Sequence, residues 1–194
     1  MRSGARLRRA ALTGIGLALL CGCELFSTRD AEPPDSGRST WNTPREPADV
    51  LDNLRSAIFE RDAVNYMRSF DSRVFVFEAD QVALNRDPSL AEWGYEEENA
   101  HAVRLFSEGT VPRDSALFAA FTVSDETLIG DSAEVHAHYE LNAGVALTGV
   151  PHHVAGTAYF FLRMGTEGYW QVYLWKDLRT DEASTWSDFK SLVR

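Results

Sequence analysis

Between Ser132 and Leu141 the chain alternates without interruption. Ala133, Val135, Ala137, Tyr139 and Leu141 fall on one side, and Glu134, His136, His138 and Glu140 fall on the other. Side chains of an extended strand point alternately to opposite faces. The stretch therefore specifies a strand with one covered and one wet face, which is the habit of antiparallel sheets. Ala116–Ser124, His153–Met164 and Tyr169–Lys176 read as its neighbours, the last two joined by the turn Gly165-Thr-Glu-Gly168. A covered face needs a second layer to cover it.

That layer is legible upstream. From Pro47, which suits a first helical turn, Val50, Leu51, Leu54, Ala57 and Ile58 recur at helical spacing. Asp62 reads as the N-cap of a short second helix whose Ala63, Tyr66, Met67 and Phe70 share a face. Arg73–Glu78 follows as a strand rich in β-branched and aromatic residues. Pro88 opens a third helix over Ser89–Phe106, with Trp93, Ala100, Val103 and Phe106 inward. Near the end, Thr185 caps a last helix carrying Trp186, Phe189 and Leu192, with Asp188 placed for a capping box. Helices gathered ahead of antiparallel strands make an α+β domain.

Here the chain resembles the NTF2-like, SnoaL-like superfamily. The resemblance rests on the element order and on the helix-to-strand passage Tyr66-Met-Arg-Ser-Phe-Asp-Ser-Arg-Val-Phe-Val-Phe77. It rests also on the late strand Tyr169-Trp-Gln-Val-Tyr-Leu-Trp-Lys-Asp177, and it spans residues 47–177. It implies a cone: three N-terminal helices packed on a curved antiparallel sheet, within a globular domain of residues 47–194. A lipocalin-type barrel is the rival architecture, and the three early helices count against it.

The beginning of the chain carries a different signal. Arg2, Arg6, Arg8 and Arg9 precede the apolar run of residues 10–20, which Leu20-Cys21-Gly22-Cys23 closes. Residues 1–22 read as a signal peptide, because the run is shorter than the roughly 20 residues a membrane-spanning helix needs. Leu-Cys-Gly-Cys resembles the lipobox of bacterial lipoproteins. That resemblance implies cleavage after Gly22 and lipid on Cys23, while Cys21 leaves with the leader. Aspartate after the cysteine would favour the inner membrane; Glu24 implies the outer membrane, with the domain facing the periplasm. Each buried methylene contributes about 0.8 kcal/mol, and two or more acyl chains hold stably. Residues 23–46, punctuated by Pro33, Pro34 and Pro44, read as a lipid-anchored flexible linker. Trp41 is its first residue expected to dock on the domain.

Losing the leader, whose four charges are all arginine, takes the formal charge from −10 to −14. Such acidity disfavours nucleic acid and anionic lipid surfaces as partners. Both cysteines lie at or before position 23, so the domain relies on its core rather than on a disulfide.

Where members of the resembled superfamily are enzymes, the resemblance implies an Asp, Glu or His inside the cone with tyrosine or tryptophan lining it. Asp71 is the candidate general base at the cone mouth, or else the start of the turn before the strand. Tyr66, Trp93, Tyr139, Tyr159 and Trp175 are candidate pocket lining, or else core aromatics. His136 and His138, two apart on a strand, share a face and could converge on one zinc, with His152 or His153 as a third ligand. With Glu134 and Glu140 beside them, a solvated polar face is the plainer reading. Asp177 reads as the end of the last strand. The chain has no nucleophile elbow, phosphate loop or paired-cysteine zinc motif, and no cofactor is expected. These readings imply an envelope lipoprotein whose domain binds an apolar small molecule or an envelope protein partner through the cone or the wet sheet face. The alternative is an acid–base enzyme of the same fold acting on a small hydrophobic substrate.

Overall fold

Strands β1 (Val76–Glu78), β2 (Leu117–Ile129), β3 (Ser132–Ala143), β4 (His153–Met164) and β5 (Trp170–Leu178) form one sheet in the order β1-β5-β4-β3-β2. They belong to a computed structural model that describes residues 40–194. The leader, Cys23 and the linker through residue 39 lie outside the described residues. β2 to β5 pair antiparallel, as the alternation implies, but β1 joins β5 in parallel, with Phe77 opposite Trp175. The sheet is therefore mixed rather than purely antiparallel. Register shifts between Val123 and Asp125 and between Phe161 and Leu162 bend the strands they interrupt. β2 runs well past Ser124, the expected end, and turns at Gly130 with φ 59°.

Helix α1 (Pro47–Glu60) starts at its proline. The Asp49 carboxylate reaches back to the Glu46 N–H at 3.0 Å, and Val50, Leu51, Leu54, Ala57 and Ile58 are all buried. α2 (Ala63–Arg68) is capped by Asp62, which accepts the Asn65 N–H at 3.0 Å. Arg61, between the two helices at φ 58°, donates to the carbonyls of Val111, Pro112 and Ser115. That grip fixes the loop leading into β2.

The expected third helix is broken. In its place stand a 3-10 turn over Pro88–Glu92 and a helix over Tyr95–Leu105 (α4), and an unexpected short helix, α3 (Gln81–Arg86), precedes them. Trp93 is extended because its carbonyl accepts the Phe77 N–H at 3.0 Å, while Gly94 bridges to Val76. A continuous helix would take those backbone groups away from β1. The inward face differs too: α4 buries Glu98, His101, Ala102 and Leu105, whereas Ala100 and Val103 are exposed.

On the sheet, Ala133, Val135, Ala137, Tyr139 and Leu141 are buried against the helical layer. The architecture is α+β, with one face covered. Residues 40–46 already belong to this folded unit. Asn42 and Asn53 exchange two hydrogen bonds, and Trp41 meets Tyr169 edge-on beneath the Arg68 guanidinium at 3.5 Å.

Candidate functional site

Tyr66, Trp93, Tyr139 and Trp175 come together on the covered side of the sheet, each at most 3% exposed. Trp93, Tyr139 and Trp175 pack on a piece of the chain itself, helix α5 (Trp186–Leu192), which Tyr66 reaches only through Glu98. Thr185 caps it by accepting the Asp188 N–H, and Asp188 closes the capping box on the Thr185 N–H at 3.0 Å. Trp186 packs edge-on against Trp175 and Tyr139, with centroids 4.9 and 5.5 Å apart. Leu192, expected to face inward, is 48% exposed, and Lys190 is wholly buried instead. Rotation of the helix toward Lys190 follows from what waits inside.

Asp177 does not end β5; it lies within the strand with its side chain buried. Its carboxylate accepts the Tyr139 hydroxyl at 2.6 Å and the backbone N–H and hydroxyl of Ser187 at 2.7 and 2.5 Å. Burial raises its pKa even against those donors, and burial with the Asp177 charge likewise raises the Tyr139 phenol. The Trp186 N–H in turn donates to the Tyr139 oxygen at 2.9 Å. Beside this hub, Asp80 caps α3 and receives the Thr185 hydroxyl at 2.5 Å. Arg179 bridges Asp80 and Asp188 at 3.1 and 2.6 Å, and Arg86 pairs with the other Asp188 oxygen.

Deeper in, Glu98 of α4 is fully enclosed. It accepts the Tyr66 hydroxyl at 2.6 Å, the Trp93 indole N–H at 2.8 Å and the Lys190 ammonium. Burial opposes its charge, yet the adjoining ammonium holds its pKa below the usual carboxylate range; burial also lowers Lys190. The ammonium lies 4.3, 5.2 and 4.8 Å from the ring centres of Phe77, Trp93 and Trp175, well within cation–π range. His101 sits next to this pair. Its Nδ1 meets the Val193 carbonyl at 2.6 Å, so that nitrogen carries the proton. Burial and the nearby Lys190 charge lower its pKa to about 4.

The remaining candidates lie elsewhere. Asp71 is 2% exposed and clamped by Arg163, whose Nε donates to it at 2.8 Å, and by the Arg73 N–H at 3.1 Å. Burial works against its charge, but these donors hold its pKa below the ordinary value. Tyr159 is on the opposite sheet face from the other four aromatics, stacked on His136 at 3.8 Å. His136 meets Glu134 at 2.6 Å, and His138 meets the Thr157 hydroxyl at 3.0 Å. The register sets His153 opposite Asn142, four residues along from His138, about 13 Å at strand spacing. Among the described residues no group of three or more His, Cys, Asp or Glu could hold a metal ion. Among the described residues, open grooves include two that none of the five candidate aromatics lines. One of about 430 Å³ lies beside Asp80, Leu178 and Arg179; the other, about 330 Å³, lies between Phe59 of α1 and Phe118 of β2.

Glu98, His101, Asp80, Arg179 and Lys190 escape the sequence reading. A signal does exist for two of them: Glu98, His101, Ala102 and Leu105 follow the helical 3-4 spacing, with polar residues where apolar ones are usual.

No family model matches the chain, and no curated protein does. Solved structures do. A conserved protein from Planctomyces limnophilus superposes with a TM-score of 0.52 at 16% identity, covering 66% of this chain and 89% of its own. An NTF2-like superfamily protein from Salmonella enterica gives 0.51 at 10% identity, covering 70% and 89%. A putative calcium/calmodulin-dependent protein kinase type II association domain from Thiobacillus denitrificans gives 0.50 at 12% identity, covering 72% and 99%. At such identities the likeness is one of fold, and the fold is NTF2-like.

Proposed function

We propose that this chain is an envelope lipoprotein, held by lipid on Cys23, whose NTF2-like domain is a protein-interaction module working through its outer sheet face. One observation carries the reading: the chamber of the cone is filled by α5, and its acids are engaged within the chain. An acid–base enzyme needs a carboxylate or histidine facing substrate. Asp177 is engaged by Tyr139 and Ser187, Asp71 by Arg163 and Arg73, and Glu98 by Lys190. Chemistry presented to the outside is left.

The outer face has a recognisable character. Tyr159, Phe161 and Tyr173 are half-buried there, with Lys176 5.6 Å from the Phe161 ring and Arg163 5.9 Å from the Tyr173 ring. Both cations already have carboxylate partners, Glu78 and Asp71. Glu134 and Glu140 of the neighbouring strand and Asp125 of β2, which pairs with His136, leave the face acidic around an aromatic centre. Its complement is a protein surface with an apolar middle and a basic rim. The test places a photo-reactive phenylalanine analogue at Phe161 in the full chain, in cells that carry it natively. A discrete protein adduct is expected, lost when Glu134→Lys and Glu140→Lys are added. An adduct equally strong from Phe59, or none from position 161, rejects the reading.

A further inference from the structure

The contacts around Lys190 have the chemistry of a ligand site set inside the core. Its ammonium is boxed by Phe77 of β1, Trp93 of the segment before α4 and Trp175 of β5, with Glu98 of α4 supplying the countercharge. Three aromatic faces and one carboxylate form an aromatic cage, the arrangement that recognises organic cations. Tyr66 and Trp93 aim two further donors at Glu98 and so hold the carboxylate in place for the cation. Three buried polar atoms in the same chamber, His101 Nε2, Trp175 Nε1 and Trp186 Nε1, have no hydrogen-bond partner among the described residues. Apolar cores rarely leave such groups.

The element that delivers the lysine is a short helix, docked through buried Trp186 and Phe189 as well as through polar contacts. α5 has seven residues, too few to hold together in water unless docked. It is joined to β5 by the exposed residues Thr180, Asp181 and Glu182. Beside the aromatic packing of Trp186 and Phe189, its attachment has a polar part: Ser187 on Asp177, Asp188 on Arg179 and Arg86, Lys190 on Glu98. Ion pairs buried in this way contribute little net stability against their desolvation.

We infer that Phe77, Trp93, Trp175 and Glu98 form a binding site for a primary alkylammonium ligand, occupied at rest by the chain's own Lys190 and opened when α5 is displaced. This goes beyond the interaction-module reading and does not depend on the outer face. The ligand class follows from the occupant: an ammonium with three N–H donors on an unbranched alkyl stem, with the stem against aromatic rings and the head against one carboxylate.

The experiment uses the full chain carrying Lys190→Ala, with n-butylammonium as the probe and 1-butanol as its neutral isostere. The substitution removes the resident ammonium and is expected to lower Tm by on the order of 10 °C. n-Butylammonium should restore most of that loss, saturably, with an apparent Kd of about 1–10 mM. It should also change the tryptophan fluorescence, since two cage walls are tryptophan. Equal restoration by 1-butanol, or none by the amine, overturns the inference. Should Lys190→Ala not fold unaided, recovery of its near-ultraviolet circular dichroism with the amine but not with 1-butanol supports the site, and any other pattern overturns it. Lys190→Met, which fills the stem, should fold and gain nothing from the amine; an equal gain would place the amine outside the cage. In the unsubstituted chain, 100 mM n-butylammonium should speed amide exchange across residues 186–192 at least about three-fold, and unchanged exchange would make Lys190 a fixed structural group and overturn the displacement.

Discussion

His101 is enclosed between Trp93 and Phe189, and it gives its one ring proton to the Val193 carbonyl. Protonating it would set a second cation beside Lys190 in a dry interior, which is why its pKa falls to about 4 from 6.5. A folded state that binds the proton less tightly than the unfolded chain is fully stable above pH 6.5 and loses stability as pH drops toward 4. One such group changes stability by about 1.4 kcal/mol per pH unit in that window, about 3 kcal/mol in all. Glu98, Asp80 and Asp71, whose pKa values are lowered, lose their contribution as pH falls below their ordinary carboxylate values, whereas Asp177, whose pKa is raised, strengthens the fold as pH falls, so the histidine is isolated by comparing the chain with a variant that lacks it. Denaturant midpoints taken from pH 7 to 4.5 should drop further in the native chain than in His101→Gln, which keeps a donor for Val193, and the difference between the two profiles is the histidine's share. Gly156 illustrates a different constraint. A Cβ there would lie 2.6 Å from the Tyr139 hydroxyl oxygen and 2.9 Å from the Leu178 carbonyl. Gly156→Ala should therefore cost about 1–3 kcal/mol and loosen α5 through Tyr139, read as lower Tm with faster exchange of the Trp186 amide. The alternation of β3 makes Tyr139 legible as an inward residue. Nothing near it announces that its hydroxyl would join Asp177 to Trp186, because those partners are 38 and 47 positions away.

Among the elements, those that declare their own starts are readable in the sequence and those defined by distant pairing are not. Pro47, Asp62 and Thr185 each begin a helix where local chemistry demands one. The inward face of α4 is hidden because two of its four buried positions are Glu98 and His101. Burial of a charge is predictable only once its partner is known, and Lys190 stands 92 residues away. The break at Trp93 and Gly94 is invisible for a similar reason, since the backbone there belongs to β1 and not to a helix. Among the cone-lining candidates, the residue types are legible but what they pack on is not: Trp93, Tyr139 and Trp175 meet a helix of this same chain. Thr185 is the hinge of that packing, capping α5 and donating to Asp80 at once. Thr185→Ala should cost about 1–2 kcal/mol, while Thr185→Ser should cost far less. Chemical denaturation of the two variants side by side checks the difference, and equal losses would assign the effect to the methyl group's packing instead.

At the scale of the whole molecule, an acidic domain with a closed interior has little intrinsic reason to stay at a membrane. The chain without residues 1–22 carries a formal charge of −14, which repels anionic lipid headgroups. The exposed apolar side chains Phe59, Val64, Val103, Phe118, Leu128 and Ile129 are distributed over α1, α2, α4 and the β2–β3 hairpin rather than along one amphipathic helix of the kind that lies in a bilayer surface. On the reading proposed above, membrane residence falls to acyl chains on Cys23, and acyl and electrostatic attachment respond differently to solution conditions. Electrostatic adhesion weakens as salt shortens the screening length from about 10 Å at 0.1 M to about 3 Å at 1 M; burial of acyl methylenes does not. The full chain should stay in the membrane fraction through a 1 M salt wash, and Cys23→Ser should appear in the soluble fraction at low salt, folded and with the same Tm. A Cys23→Ser chain that remains with the membrane at low salt and leaves at 1 M would mean that the domain itself, through a protein already seated there, provides the attachment.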